Sequence, residues 1–356
     1  MKTSLYQKHV AASGRIVDFA GWEMPVQYAG ILDEHRAVRE ACGVFDISHM
    51  GEFFVRGPGA CQWLESLLAS RVSALEPGAA QYSFLLNPRG GVIDDLYVYC
   101  LAADEYLLVV NAAKIDEDAA WMRSHAVPGV DFEDASTSLS AIAVQGPRST
   151  DIFKTCFGRD LPPARNRVLK IRRGGQFSYV ATTGYTGETG FEVVCPNAQA
   201  ESLWDAVTAV GARPCGLGAR DVLRLEMCYP LNGSDLSPEH TPLEAGLGYF
   251  VDLEKGDFIG RDALVAQKAA GVPSRLCALV VREKSPPMRS HYTVAQDGRP
   301  VGETTSGGLS PSLGAAIALA RLDPACAAPG TRLEIDVRGR QYPAEVVRKP
   351  FLKKSL

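Results

Sequence analysis

Apolar positions along the chain follow two periods. Ile31, His35, Val38 and Cys42 recur at helical spacing with charges on the opposite face, which predicts an amphipathic helix over 30–42 with Gly43 as its C′ residue. Val44-Phe45-Asp46-Ile47-Ser48-His49-Met50 then reads as a short strand. A second strand is expected over 50–55, followed by the turn Gly57-Pro58-Gly59 and a helix over 60–70. Strands over 82–86 and 93–99 bracket Gly90-Gly91 as an antiparallel hairpin, with a third strand over 105–111. Within that hairpin Val92, Asp94, Leu96 and Val98 face one side and Ile93, Asp95, Tyr97 and Tyr99 the other, so each face carries one acid.

A strand over 139–145, then Gly146-Pro147 and a helix, repeats the strand, Gly-Pro turn and helix of 53–70. Strands over 177–182 and 190–195 flank the glycine-rich turn Thr183-Gly184-Tyr185-Thr186-Gly187-Glu188-Thr189-Gly190, and helices are expected over 198–210 and 219–227. From Pro273 the texture changes to short strands over 275–282, 292–295, 316–322, 332–338 and 341–348. Turns at Asp297-Gly298, Ser306-Gly307-Gly308 and Pro329-Gly330 separate them, which predicts a small C-terminal β-barrel. Strands joined by hairpins with helices between them indicate an α+β protein rather than regular βαβ alternation.

Composition narrows the class. A chain of 356 residues exceeds one ordinary core, so two or three domains are expected. With 37 Lys+Arg against 41 Asp+Glu there is no basic excess to recommend nucleic acid, and no apolar run is long enough to span a bilayer. Residues 1–7 carry no apolar signal-like segment, and nine cysteines stand singly with no CxxC spacing, so a reducing cytoplasm is expected. Six histidines without HxH or HxxxH pairing give no transition-metal site.

Several residues stand out chemically. Asp94 and Asp95 place a carboxylate where it can orient, or take a proton from, a substrate nitrogen; the plain alternative is one solvated and one turn-capping acid. Glu192 interrupts the apolar run Phe191, Val193, Val194, next to the turn that carries Tyr185, and suits a ligand with adjacent N–H groups unless it faces water or an arginine. Arg220 and Arg224 share a helix face behind Gly216-Leu217-Gly218, and either clamp a carboxylate or pair with Asp221 and Glu226. That GxG lacks the third glycine of a dinucleotide fingerprint, so no nucleotide cofactor is expected. His49-Met50 lines a cavity or is structural, and Arg348, Lys349, Lys353 and Lys354 form a basic tail.

Seven segments in order resemble the aminomethyltransferase (T-protein) family of the glycine cleavage system. They are Val17-Asp18-Phe19-Ala20-Gly21-Trp22-Glu23-Met24-Pro25, Phe45-Asp46-Ile47-Ser48-His49-Met50, Gly90-Gly91-Val92-Ile93-Asp94-Asp95, Ala143-Val144-Gln145-Gly146-Pro147, Thr183-Gly184-Tyr185-Thr186-Gly187-Glu188, Gly216-Leu217-Gly218-Ala219-Arg220-Asp221 and Ser310-Pro311-Ser312-Leu313-Gly314. The resemblance implies a three-domain cloverleaf: a discontinuous α+β part (1–50 and 138–265), a second α+β domain (51–137) and a C-terminal Greek-key barrel (273–356). It implies transfer of the methylene of an aminomethyl group from the lipoyl arm of a carrier, the H-protein, to tetrahydrofolate, with release of ammonia. By the same resemblance Asp94 is the catalytic carboxylate, Glu192 and Tyr185 contact the folate, Arg220 holds its anionic portion, and Met50, Tyr82 and Asn111 line the cavity. Neither a metal nor a nucleotide is implied.

Tyr249 departs from the pattern, standing where many relatives carry Trp. Two other readings keep the fold: a folate-dependent demethylase of a methoxy or sulfonium donor, and a non-catalytic folate-binding protein. The second is weakened because the Lys-Gly-Cys motif of such proteins is absent and Pro214 precedes Cys215-Gly216.

Overall fold

A computed structural model describes residues 1–353; Lys354 of the basic tail lies outside them. The chain divides into two compact units, Met1–Ser83 with Asp95–Asp221, and Phe84–Asp94 with Val222–Leu356. In the first, a six-stranded sheet runs in spatial order Val168–Arg173, Gln176–Ala181, Gly190–Pro196, Leu139–Gln145, Gly43–Asp46 and Arg213–Pro214. Its apolar face packs on Ile152 and Phe153 of the helix Ser149–Phe157 and on Leu203, Trp204 and Val207 of the helix Asn197–Ala209. A five-stranded sheet has the order Ala80–Leu86, Val92–Ala102, Glu105–Val110, Gly51–Arg56 and Asp131–Asp134; the tip of its first hairpin belongs to the second unit. The α+β class expected from the chain is the one observed.

The internal repeat is structural as well. Gly57 and Gly146 both hold a positive φ, at 113° and 135°, and their carbonyls accept from the Ala60 and Ser149 amides at the starts of the helices Ala60–Leu67 and Ser149–Phe157. A Cβ on either would lie 2.2 Å from Gly129 O or 2.5 Å from Ala41 O, so both turns require glycine.

In the second unit a closed barrel runs Arg275–Val281, Ala315–Leu322, Arg299–Ser310, Thr293–Gln296, Arg332–Val337 and Arg340–Val347, every pair antiparallel. The three strands from Thr293 to Leu322 are linked by hairpins, and Arg332–Val337 returns beside the first of them, which is Greek-key order. Leu279, Val294, Ala318, Ala320 and Ile335 fill its interior. The hairpin tip in this unit is fastened by Asn87, whose Nδ2 donates to Pro238 O at 2.8 Å while its Oδ1 accepts from the Arg89 and Gly91 amides. A Cβ on Gly91 would sit 1.9 Å from Pro238 O.

Three expectations are corrected. The helix Ile31–Glu40 ends without a glycine cap, and Gly43 instead opens a strand, where a Cβ would sit 2.5 Å from Val38 Cγ2 and 2.7 Å from Cys215 Sγ. The strand expected over 44–50 stops at Asp46, because the Asp46 carboxylate accepts from the Ser48 amide and turns the chain. Ser306-Gly307-Gly308 is no turn: it lies inside the strand Arg299–Ser310, with Gly307 clearing space for Met288. Sequence reading also passed over the helix Arg261–Ala270 and the hairpin Arg15–Phe19 with Trp22–Gln27. Among the described residues no helix is long and apolar enough to cross a membrane, and no group of three or more His, Cys, Asp or Glu is placed to hold a metal.

Candidate functional site

Strand alternation decides which acid meets which neighbours. Asp95, Tyr97 and Tyr99 share one face of the strand Val92–Ala102, and the register that sets Tyr97 opposite Val109, and Val109 opposite Glu52, carries Glu52 onto that same face. Tyr82 donates its hydroxyl to Asp95 Oδ2 at 2.7 Å, and Asn111 donates Nδ2 to Asp95 Oδ1 at 3.1 Å and to the Asp95 carbonyl at 3.0 Å. Two residues expected to line the cavity therefore converge on Asp95. Asp94, fully buried on the opposite face, falls in the second unit.

A second cluster forms around the glycine-rich turn. Thr183 donates its hydroxyl to Glu192 Oε2 at 2.5 Å, and the Tyr99 hydroxyl lies 3.4 Å from Thr183 Oγ1. Burial, reinforced by Glu192, holds the Tyr99 phenol well above its ordinary range, so it stays protonated and can donate along this line. The Arg220 guanidinium stacks over the Tyr185 ring at 4.9 Å. Its Nη1 is buried and finds no hydrogen-bond partner among the described residues. Burial lowers its pKa, while the charge of Glu192 acts in the opposite sense.

Aromatic rings join the two clusters. Tyr82 and Tyr97 lie 5.8 Å apart between centroids, and Tyr97 and Tyr99 stack at 5.8 Å. The wall thus runs from Asp95 through three tyrosines to Thr183, Glu192 and Arg220. His49 adds a polar edge: its Nδ1 is buried with no hydrogen-bond partner among the described residues, and burial, assisted by the Arg220 charge, pushes its pKa down to about 4, so the ring is neutral at pH 7. Met50, half-buried in the turn after Ile47, joins neither cluster by hydrogen bonding.

Backbone chemistry explains why Arg220 stands there. Gly216 and Gly218 let the helix Leu217–Glu226 start against the strand Trp22–Gln27, since a Cβ at 216 would lie 2.4 Å from the Val26 carbonyl carbon and one at 218 would lie 2.6 Å from Ile31 Cδ1. The Gly216 amide donates to the buried Glu34 carboxylate at 2.8 Å, and Glu34 also accepts from the Tyr28 and Gly30 amides. The GxG is thus a packing device. Arg224, grouped with Arg220 on sequence grounds, belongs to the second unit, where it meets Asp235 at 2.8 Å. Tyr249 is also in the second unit, 76% exposed.

Sequence reading did not name Tyr97, Tyr99, Thr183 or Gln145 as site residues. The alternation that set Asp95 with Tyr97 and Tyr99 was the available signal; the contact from Tyr99 to Thr183 spans 84 positions and left none.

Two family models match the chain, the GCVT N-terminal domain over residues 5–255 and the glycine cleavage T-protein C-terminal barrel domain over residues 275–353. An aminomethyltransferase of Nostoc is 45% identical over 362 residues, covering 99% of this chain and 96% of the relative. One from Geobacillus kaustophilus is 41% identical over 361 residues, covering 99% of each. The crystal structure of glycine cleavage system aminomethyltransferase T from Bartonella henselae superposes with a TM-score of 0.94 at 30% identity, covering 99% of this chain and 98% of that one.

Proposed function

We propose, from the premise that the chain belongs to the glycine cleavage T-protein family, that it is a cytoplasmic aminomethyltransferase acting on tetrahydrofolate and on the aminomethyl-lipoyl arm of an H-protein carrier. The three-domain division, 1–50 with 138–265, 51–137 and 273–356, belongs to the same proposal. In the reaction the methylene carbon loses its bonds to the carrier sulfur and to the amino nitrogen and gains bonds to N5 and N10 of the folate. The two folate N–H protons leave on the dihydrolipoyl thiol and on ammonia.

N10 is an aryl amine of low basicity. A carboxylate beside it orients the lone pair, offsets developing positive charge and relays the proton. That carboxylate belongs to the Asp94–Asp95 pair. The resemblance assigns Asp94; the donors from Tyr82 and Asn111 favour Asp95, which they hold in one orientation. Glu192 and Tyr185 suit the folate ring system, Met50 the cavity wall, and Arg220 the anionic portion. The observation that carries the folate reading is Arg220 itself, stacked on Tyr185 with its buried Nη1 finding no hydrogen-bond partner among the described residues, since an anionic ligand supplies the missing acceptor.

The test is coupled formation of ammonia and 5,10-methylenetetrahydrofolate from aminomethylated carrier and tetrahydrofolate, beside a carrier-free control. Folate binding with neither product would point to the demethylase or non-catalytic alternatives. Asp95→Asn is expected to keep its fold and folate affinity while turnover drops about 10²–10⁴-fold, the usual effect of losing one positioned acid or base. A folded Asp94→Asn that loses turnover while Asp95→Asn retains it would return the role to Asp94.

A further inference from the structure

We infer that Gln145 is the positioning residue of the turn Thr183–Gly190, its buried side-chain amide setting where Tyr185 and Glu192 stand. What the turn binds rests on the folate reading above; that Gln145 sets the turn rests on geometry alone.

Gln145 is the last residue of the strand Leu139–Gln145 and is fully buried. Its partners on both neighbouring strands are glycines, Gly190 on one side and Gly43 on the other. A Cβ on Gly190 would lie 2.4 Å from Gln145 Nε2, and one on Gly184 would lie 2.1 Å from Oε1. Two glycines of the turn therefore empty the slot that the amide fills.

Both ends of the amide are used. Nε2 donates to the Thr183 carbonyl at 3.1 Å, and Oε1 accepts from the Thr186 hydroxyl at 2.9 Å. One planar group with a donor and an acceptor thus ties the chain on both sides of Gly184-Tyr185. The far side of the turn is pinned separately: the Gly146 amide and Ser149 Oγ donate to the Thr189 carbonyl at 2.8 and 3.1 Å. Arg39 Nη1 donates to the Thr186 carbonyl at 2.6 Å and pairs with Glu188 at 2.8 Å. Residues 184 and 185 then have little freedom, which fixes the Tyr185 ring under Arg220. The same tether holds Thr183, whose hydroxyl orients Glu192.

Gln145→Met keeps length and burial but removes both bonds, leaving the Thr183 carbonyl and the Thr186 hydroxyl without them. In the full-length protein it is expected to speed amide hydrogen exchange over 183–190 while the barrel keeps its protection. KM for tetrahydrofolate is expected to rise about tenfold or more, with kcat and the KM for aminomethylated carrier little changed. Combined with Glu192→Ala, its folate penalty is expected to fall clearly short of the sum of the two, because both changes act on one group. Exchange at the wild-type level, an unchanged folate KM in a folded variant, or strict additivity with Glu192→Ala would each overturn the inference. Gly184→Ala crowds the same amide from the other side, and supplies the same three readouts where Gln145→Met does not fold. Wild-type protein that binds no tetrahydrofolate would sink the functional reading alone, since hydrogen exchange still decides whether Gln145 holds the turn.

Discussion

Two sets of buried titratable side chains, one in each unit, contrast in their partners. In the second, Asp235 accepts from Arg224 Nη1, the Leu231 amide and Ser306 Oγ at 2.8–2.9 Å, and from Thr305 Oγ1 at 2.5 Å. Glu226 is likewise met by Ser310 and Ser312. In the first, Arg220 Nη1, His49 Nδ1 and both carboxyl oxygens of Glu52 are buried with no hydrogen-bond partner among the described residues. Buried polar groups that find partners specify a fold; those that do not cost stability and persist where something else uses them. On this contrast the partnered set is expected to act as scaffold, as the buried Glu34 of the first unit also does, and the unpartnered set is the one expected to respond to a ligand.

The largest effect that would break this contrast comes from Asp235. Asp235→Ala strands the Arg224 guanidinium, which is 3% exposed, and the loss is expected to be about 3–5 kcal/mol in urea-unfolding free energy. Folate affinity per folded molecule should be unchanged. A loss under about 1 kcal/mol would remove Asp235 from the scaffold.

Arg220→Met is expected to do the reverse. Removing a desolvated cation with an unmet donor should change stability by less than about 1 kcal/mol, while affinity for tetrahydrofolate falls by about 2–3 kcal/mol, or roughly 30- to 150-fold. Calorimetric titration of the folded variant measures this, and unchanged affinity would place Arg220 with the scaffold.

How far the chain itself foretold this depends on sequence distance. Period-two alternation exposed five of the six barrel strands, with Arg299–Ser310 passed over, and put Asp95 with Tyr97 and Tyr99, since strand geometry is local. The helix Ile31–Glu40 was equally legible, but its end was not: Gly43 reads as a cap until Val38 and Cys215 are seen to crowd it. Gly307-Gly308 failed for the same reason, glycine being needed for close packing inside a strand as well as in turns. Family-like segments drew attention to Gln145, Tyr185 and Arg220 separately. That the Gln145 amide fits between Thr183 and Thr186, about 40 positions away, is tertiary information that no periodicity encodes.

The smallest effect sharpens the contrast through pH. Burial, with the Asp134 charge adding to it, raises the Glu52 pKa well above 4.5, so folding favours the neutral form of this acid. Its contribution to stability is fully present below the unfolded value near 4.5, declines as pH rises above it, and is gone once pH passes the folded value. Glu244 in the second unit runs the other way. Burial pushes its pKa up, but bonds from His240, Ser274 and the Thr241 amide outweigh burial and bring it to about 2. Its contribution is therefore present above about 4.5 and lost as pH falls through about 2. Glu52→Gln should flatten the decline on the alkaline side of pH 4.5 and leave acid unfolding unchanged; Glu244→Gln should weaken the protein at neutral pH by a margin that shrinks toward pH 2. Urea midpoints for both variants across that range decide it. If Glu52→Gln instead left the alkaline slope unchanged and weakened the protein at neutral pH by a margin that shrank toward pH 2, Glu52 would be an ionised, partnered acid like Glu244, and the contrast between the two sets would fail.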